Sequence, residues 1–222
     1  MRLLIIEDSE EIINCIKIEL EKIGICVDTA TSGFEGEEKA YVNEYDIIIL
    51  DIGLPDKNGI EILKYLRKES IDTPVMILTG CDERKMLIQG LEIGADDYLI
   101  KPIQMEEIVA RVRAIIRRYN KKSNPDIKIG NLVVNTSTRI ALYNNKKLEL
   151  TIKEFDILEY LAMKFPAVIS SEEILEHVYN EYFNPFSSVL RVHITKLRKK
   201  LEKASGKEIL ITTRGKGYSL TN

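Results

Sequence analysis

Short apolar runs alternate with longer amphipathic stretches through the first half of the chain. The apolar runs have the length of buried strands and lie near residues 2–6, 25–30, 46–50, 74–78 and 97–100. The stretches between them repeat apolar residues at helical spacing, near residues 9–23, 33–42, 58–68, 84–93 and 104–118. Five βα units in succession predict an α/β fold, a five-stranded doubly wound parallel sheet.

The pattern changes after residue 119. A polar segment without periodicity, Asn120–Pro125, predicts a linker over residues 120–126. Beyond it, four β-like pieces lie near residues 127–129, 132–135, 139–143 and 148–150, with Asn144-Asn145 as a hairpin turn. Three helices follow, near residues 151–164, 170–180 and 185–204, and a last hairpin covers residues 209–220. The sequence therefore predicts a second, α+β domain over residues 127–222.

Composition limits the class of protein. A chain of 222 residues suggests one or two domains, and no apolar stretch approaches the roughly 20 residues of a membrane span. The N-terminus lacks a signal-peptide pattern. Cys15, Cys26 and Cys81 are scattered, with neither disulfide nor metal-ligand spacing, so we expect a reduced, cytoplasmic protein without membrane partners.

The charge is distributed unevenly along the chain. The net charge is −3, with −7 over residues 1–124 and +4 over residues 125–222. A basic second half beside an acidic first half suggests that the second half meets a polyanion. Ordinary variation of surface charge is the alternative explanation.

Acidic residues follow two of the predicted strands. Asp51 ends the run 46–50, and Glu7-Asp8 follow the run 2–6. Thr79 and Lys101 follow two other strands. Because the C-terminal ends of parallel strands share one edge of a sheet, these side chains are expected to converge. Grouped carboxylates repel each other unless a cation joins them, and oxygen ligands suit Mg²⁺.

These motifs resemble the receiver domain of a two-component response regulator. The resemblance is carried by Glu7-Asp8, Asp51-Ile52-Gly53-Leu54-Pro55, Leu78-Thr79 and Gly94–Pro102, in order and with suitable spacing. It implies a flavodoxin-like receiver over residues 1–119. It also implies that Asp51 accepts a phosphoryl group from the phosphohistidine of a partner sensor histidine kinase.

The resemblance also assigns roles to the neighbouring residues. It implies that Mg²⁺ is bound by Asp8, Asp51 and the backbone carbonyl of Gly53, with Glu7 acting through a water. Lys101 and Thr79 would bind phosphoryl oxygens, and Thr79 and Tyr98 would form the switch. A haloacid-dehalogenase-type phosphatase would carry a second aspartate where this chain has Gly53. We therefore expect that the protein is not an enzyme and that its acyl phosphate is lost only by slow autodephosphorylation.

The resemblance also implies a homodimer formed through the fourth helix, fifth strand and fifth helix. The residues that the resemblance places at this interface are Asp96, Asp97, Glu107, Arg111 and Arg118. Leu87 stands where the family commonly has a lysine, which removes one expected ion pair. An exposed ion pair contributes about 0–1 kcal/mol, so we expect a weaker interface, not a lost one.

The last long helix of the second half has two distinct faces. One face carries the apolar stripe Leu190, Ile194, Leu197 and Leu201, and the opposite arc is polar and basic. The helix and the following segment 212–218 resemble the recognition helix and wing of an OmpR/PhoB-type winged-helix domain. The residues expected to contact double-stranded DNA are Ser188, Arg191, Val192, Thr195, Lys196, Arg198, Lys199 and Arg214. The loop Glu181–Pro185 corresponds to a segment that touches RNA polymerase in some members.

The sequence is therefore interpreted as a DNA-binding response regulator. Phosphorylation at Asp51 is expected to promote dimerisation and sequence-specific DNA binding, and so to regulate transcription. Two alternatives stay open: a regulator that works without phosphorylation and, less favoured, a Mg²⁺-dependent aspartyl-phosphate phosphatase.

Overall fold

The chain folds as two units, which are described separately. The computed structural model describes residues 1–80, 84–179 and 188–222. Unit 1 is Met1–Tyr119 and unit 2 is Asn120–Asn222. Among the described residues, no helix combines the length and the apolar character needed to cross a membrane.

A parallel sheet flanked by helices forms unit 1. Its strands are β1 (Arg2–Ile6), β2 (Cys26–Ala30), β3 (Ile47–Asp51), β4 (Val75–Thr79) and β5 (Asp97–Ile100). The helices are α1 (Glu10–Lys22), α2 (Gly33–Val42), α3 (Gly59–Lys68), α4 (Arg84–Ile93) and α5 (Met105–Tyr119). The strand order is β2-β1-β3-β4-β5 and every pairing is parallel. The predicted doubly wound sheet is confirmed.

Burial explains why these strands read as continuous apolar runs. Every residue of β1, β3 and β4 is buried, because helices cover both faces of the sheet. Short polar side chains begin the helices that follow the strands: Ser9 caps α1, Ser32 caps α2 and Asn58 caps α3. The strand order reverses between β1 and β3, so a crevice opens at their C-terminal ends.

Unit 2 is an α+β arrangement. A four-stranded antiparallel sheet contains β6 (Asp126–Ile129), β7 (Leu132–Asn135), β8 (Ile140–Tyr143) and β9 (Lys146–Lys147). The helices are α6 (Ile152–Lys164), α7 (Ser171–Val178) and α8 (Val189–Ser205), and the hairpin is β10 (Leu210–Thr213) with β11 (Gly217–Leu220). The predicted winged-helix class is confirmed. The first strand begins at Asp126, the last residue of the predicted linker.

The prediction of a strand near residues 148–150 is wrong, because the observed strand is Lys146–Lys147. Asn144 and Asn145 both have positive φ angles, 49° and 61°, as in a tight two-residue hairpin turn. This turn places Lys146 directly opposite Tyr143, so β9 is Lys146–Lys147. The amide of Leu148 still donates to the carbonyl of Ala141 at 2.9 Å, but the paired strand ends at Lys147.

Candidate functional site

An acidic pocket lies at the C-terminal ends of β1 and β3. The two strands are paired in parallel up to Ile6 and Leu50, so the residues that follow them come side by side. Glu7, Asp8 and Asp51 each offer a carboxylate oxygen, and these oxygens lie within 4.8 Å of one another. Glu7 and Asp51 are 1% and 4% exposed, whereas Asp8 is open to solvent.

Lys101 brings a positive charge to the two buried acids. It follows β5, and its Nζ lies 2.6 Å from Glu7 Oε2 and 3.3 Å from Asp51 Oδ1. The Lys101–Pro102 peptide bond is cis. The ammonium group thus offsets part of the repulsion between the carboxylates, and it also places a cation beside Asp51.

The pocket shifts the pKa of Glu7 upward. Burial is the largest cause, because it disfavours the charged carboxylate, and the charge of Asp51 adds to it. The hydrogen bond and charge of Lys101 act in the opposite direction. Three carboxylates facing one ammonium suit a hard divalent cation such as Mg²⁺, which binds oxygen ligands. The donor set therefore fits a magnesium site.

The raised pKa predicts a pH-dependent effect of Glu7→Gln on stability. An acid whose folded-state pKa lies above its ordinary value of 4.5 costs stability as pH rises from 4.5 through the raised pKa. We expect Glu7→Gln to be more stable than the wild type at neutral pH, with the difference vanishing below pH 4.5. Urea unfolding at several pH values, in EDTA to remove divalent cations, measures this. A variant destabilised equally at all pH values would contradict it.

Thr79 and Tyr98 occupy different environments. Thr79 is buried at the end of β4, next to the strand that ends in Asp51. Tyr98 lies on β5 opposite Ile77, and it is 37% exposed. The structure thus places the hydroxyl of Thr79 at the end of a strand beside β3, and the ring of Tyr98 at the surface.

Gly59 is a residue of this region whose importance the sequence did not reveal. A Cβ atom at Gly59 would lie 2.2 Å from the backbone oxygen of Asp51 and 3.0 Å from its carbonyl carbon. The Gly59 amide also donates to the carbonyl of Ile52, at 3.1 Å. The close approach of α3 to the end of β3 therefore requires glycine.

Asp56 connects the loop after Asp51 to α2, and this contact was also missed. Its two carboxylate oxygens accept from the amides of Gly33 and Phe34, at 2.8 and 2.9 Å. These backbone bonds lower the pKa of Asp56. An acid that satisfies the first amides of a helix stabilises that helix, so the loop and α2 are held together.

The predicted interface residues make contacts within this chain. Arg111 donates to Asp97 at 2.8 Å and to Glu107 at 2.6 Å. Asp96 accepts from the amide of Val75 at 2.9 Å, and Arg118 is exposed. Leu87, at the position of the missing lysine, is buried. Asp97 and Arg111 therefore form an ion pair inside a single chain.

The two faces of α8 agree with the predicted burial. Leu190, Ile194, Leu197 and Leu201 are buried. The outward residues are exposed, namely Ser188, Arg191, Val192, Thr195, Lys196 and Lys199. Thr195 donates its hydroxyl hydrogen to the carbonyl of Arg191, at 2.7 Å. The predicted polymerase-contacting loop, Glu181–Pro185, lies outside the described residues.

Two predicted DNA contacts differ in their surroundings. Arg198 is partly buried, and its guanidinium contacts β10: Nε donates to the carbonyl of Leu210 at 3.0 Å, and a second nitrogen donates to the hydroxyl of Thr212. Arg214 is exposed, at the turn between β10 and β11. The guanidinium of Arg214 is therefore open to a ligand, whereas that of Arg198 is already bonded to β10.

Two polar contacts hold α8 to its neighbours. The Tyr179 hydroxyl lies 2.6 Å from His193 Nδ1, and Lys200 donates to Glu154 at 2.6 Å. Burial raises the pKa of Tyr179 to about 12 and lowers the pKa of His193. At neutral pH the phenol therefore keeps its proton and shares one hydrogen bond with Nδ1 of the imidazole. These contacts fix the exposed face of α8 relative to the rest of unit 2.

Comparisons with known proteins agree with both units. Residues 3–113 match the family "Response regulator receiver domain", and residues 145–220 match "Transcriptional regulatory protein, C terminal". The cell cycle transcriptional regulator CtrA of Caulobacter vibrioides is 38% identical over 221 residues, covering 99% of this chain and 96% of the relative. This chain belongs to the OmpR/PhoB family of response regulators. It is a transcription regulator with a receiver and a DNA-binding domain, and not a classical enzyme.

A further relative and two solved structures are also similar to this chain. The cell cycle response regulator CtrA of Brucella anthropi is also 38% identical, covering 99% of this chain and 95% of the relative. Among solved structures, the Francisella response regulator 1452 receiver domain has a TM-score of 0.51 and 38% identity, covering 53% of this chain and 98% of that one. A streptococcal redox sensor, of a family that evolved from response regulators, has a TM-score of 0.50 and 26% identity, covering 100% of this chain and 99% of that one.

Proposed function

We propose that Asp51 accepts a phosphoryl group from a partner sensor histidine kinase, and that this promotes homodimerisation and sequence-specific binding to double-stranded DNA. Transcription is regulated by that binding, in the cytoplasm. The observation that carries the proposal is the placement of Asp51. Its carboxylate ends a central strand, with Glu7 and Asp8 beside it and Lys101 Nζ at 3.3 Å.

The transfer forms one bond to phosphorus and breaks another. A carboxylate oxygen of Asp51 forms a bond to phosphorus while the phosphorus–nitrogen bond of phosphohistidine breaks and the imidazole leaves. Lys101 attracts a phosphoryl oxygen as a point charge, and the Thr79 hydroxyl donates to another. A Mg²⁺ held by Asp8, Asp51 and the Gly53 carbonyl, with Glu7 acting through a water, would supply positive charge toward the phosphoryl oxygens.

The acyl phosphate formed at Asp51 is expected to be lost slowly. A phosphatase of similar fold places a general acid two residues after its nucleophile, and this chain has Gly53 there. A Cβ at Gly53 would lie 3.5 Å from Asp51 Oδ2, so this position faces the carboxylate. Without an acid at that position, autodephosphorylation is the only expected hydrolysis.

Thr79 and Tyr98 form the proposed switch. The buried Thr79 hydroxyl moves toward the phosphoryl group, and the Tyr98 ring moves inward into the space that Thr79 vacates. The exposed Tyr98 ring corresponds to its outward position. A phosphoryl group adds about two negative charges, which bias this two-state element.

The proposed dimer face combines α4, β5 and α5. Besides the charged residues Asp96, Asp97, Glu107, Arg111 and Arg118, it presents exposed apolar side chains. These are Ile88 and Leu91 on α4 and Ile100 on β5. Burying them contributes about 25 cal/mol for each Å² of apolar surface. This apolar area compensates for the ion pair that is missing at Leu87.

Unit 2 supplies the proposed DNA interface. The exposed basic face of α8 fits the major groove, where cationic side chains contact phosphates and base edges. Arg214, at the hairpin tip, contacts a phosphate or the minor groove. A receiver dimer joins two such interfaces on adjacent half-sites and so raises affinity without new contacts. The segment 181–185 is the proposed contact with RNA polymerase.

Phosphorylation-dependent binding tests this proposal. A duplex is first selected from a random-sequence pool by the wild-type protein treated with acetyl phosphate and Mg²⁺. We expect treatment to double the mass seen by light scattering and to raise affinity for this duplex by about tenfold or more, and neither change should occur in Asp51→Asn. Equal mass and affinity with and without treatment would favour a phosphorylation-independent regulator. Rapid turnover of small phosphate esters would favour the phosphatase.

A further inference from the structure

Arg198 differs from its basic neighbours on α8 in what its side chain contacts. Lys196 and Lys199 are exposed, whereas the Arg198 side chain is 25% exposed. Its guanidinium donates to the carbonyl of Leu210 and the hydroxyl of Thr212, both on β10, and Nε lies 3.6 Å from Glu208 Oε1. A guanidinium presents several donors in a fixed plane, so two such bonds hold β10 in one orientation.

The other strand of the hairpin has its own anchor. Tyr218 on β11 exchanges two backbone hydrogen bonds with Ile169, each at 2.8 Å. A Cβ at Gly217 would lie 1.9 Å from the carbonyl oxygen of Ile169, so the backbones of β11 and this segment are too close for any side chain at position 217. Strand β11 is therefore fixed to the segment between α6 and α7. Among the described side chains of α8, that of Arg198 fixes β10 by hydrogen bonds.

The position of the hairpin tip depends on both anchors. Thr212 lies two residues before Arg214, and Thr213 pairs with Gly217 across the turn. The backbone between Thr212 and Arg214 is therefore too short and too well paired for Arg214 to be reoriented independently of β10. The direction in which Arg214 points relative to the exposed face of α8 is thus determined by where β10 lies, and Arg198 holds β10 to α8.

We propose that Arg198 is a positioning residue that sets the placement of Arg214 relative to the recognition face of α8, and that it does not itself contact phosphate. The inference rests on the proposed DNA interface of α8 and the hairpin. Arg198 lets Arg214 reach the DNA while Lys196 and Lys199 occupy the major groove. Its contribution to affinity is made through Arg214.

Lysine at position 198 separates this role from a direct phosphate contact. Arg198→Lys keeps the positive charge, so a residue that contacts phosphate by charge loses little affinity. An ammonium group, however, cannot reproduce two directed bonds to the Leu210 carbonyl and the Thr212 hydroxyl. A positioning residue therefore loses most of its effect when replaced by lysine.

A double-mutant cycle on the selected duplex tests the proposal. We expect Arg198→Lys and Arg214→Ala each to weaken binding by about tenfold, and the double variant to bind no more weakly than Arg214→Ala alone. Arg198→Lys should also lower the slope of log affinity against log salt by about one, although its charge is unchanged. The matched control is Lys199→Ala, whose loss should multiply with that of Arg214→Ala.

A second variant approaches the same contact from the hairpin. Thr212→Val removes the acceptor hydroxyl at nearly constant volume, and it should show the same lack of additivity with Arg214→Ala. Wild-type affinity for Arg198→Lys, or losses that multiply in the double variant, would overturn the proposal. If Lys196→Ala and Lys199→Ala weaken binding but Arg214→Ala does not, the DNA interface stands and the role of Arg198 falls. If none of these variants weakens binding, the interface itself is refuted.

Discussion

Asp51→Asn is expected to reduce the incorporation of phosphoryl groups from acetyl phosphate or a cognate kinase to background. The amide lacks the anionic oxygen that forms the bond to phosphorus. The burial of this position and the ammonium of Lys101 at 3.3 Å would remain. Loss of labelling therefore reports on the Asp51 carboxylate, as nucleophile and as proposed Mg²⁺ ligand. The measurement is Mg²⁺-dependent labelling that is released by hydroxylamine, as an acyl phosphate is.

Asp56→Asn is the matched control for this loss. Asp56 belongs to the same loop, but its carboxylate accepts from the amides of Gly33 and Phe34 at the start of α2. Asparagine also caps helices, so this variant should fold and be labelled like the wild type. Hydroxylamine-sensitive label retained on Asp51→Asn would refute the assignment of the phosphoacceptor.

Gly59→Ala is expected to lower the free energy of unfolding of unit 1 by about 3 kcal/mol or more, a large fraction of a typical domain's stability. The added methyl group would lie 2.2 Å from the Asp51 carbonyl oxygen. That oxygen belongs to the backbone at the end of β3, so no side-chain rotation can relieve the overlap. Urea unfolding followed by circular dichroism measures the change.

Gly80→Ala supplies the comparison at the same edge of the sheet. The nearest atom to a Cβ at Gly80 is Lys101 Cδ, at 4.0 Å, so the methyl group has space. Replacing this glycine reduces the entropy of the unfolded chain, and we expect stability to be unchanged or raised by up to about 1 kcal/mol. Equal destabilisation by both substitutions would show that the approach of Gly59 to β3 is not what makes glycine necessary.

Periodicity was sufficient to predict the sheet and the members of the pocket. In unit 1, the bounds of the predicted elements differ from the observed ones by at most one residue. Buried strands and amphipathic helices alternate, and each pattern has its own repeat. Parallel strands end at a common edge, which is why acids as far apart in sequence as Glu7 and Asp51 could be expected to meet.

Sequence spacing did not reveal which partners the long side chains contact. The resemblance placed Arg198 among the residues that contact DNA, and it gave no indication that the guanidinium donates to acceptors on β10. The acceptors of such a side chain lie on a strand more than ten residues further along the chain, so local spacing does not identify them. The requirement for Gly59 likewise comes from a contact between two backbones, which leaves no pattern of apolar and polar residues.

The hydrogen bonds of Arg111 have a consequence for how the proposed dimer is stabilised. In a single chain its guanidinium already contacts Asp97 and Glu107, and these bonds raise the pKa of Arg111. An ion pair that Arg111 forms with a second subunit competes with the ion pairs that the monomer already possesses. Exchanging an intrachain ion pair for an interchain one changes the free energy little. Such a pair therefore contributes more to the geometry of the dimer than to its affinity. The intrachain ion pairs thus favour the monomer, and the monomer–dimer equilibrium depends on how much apolar surface of α4 and β5 the dimer buries.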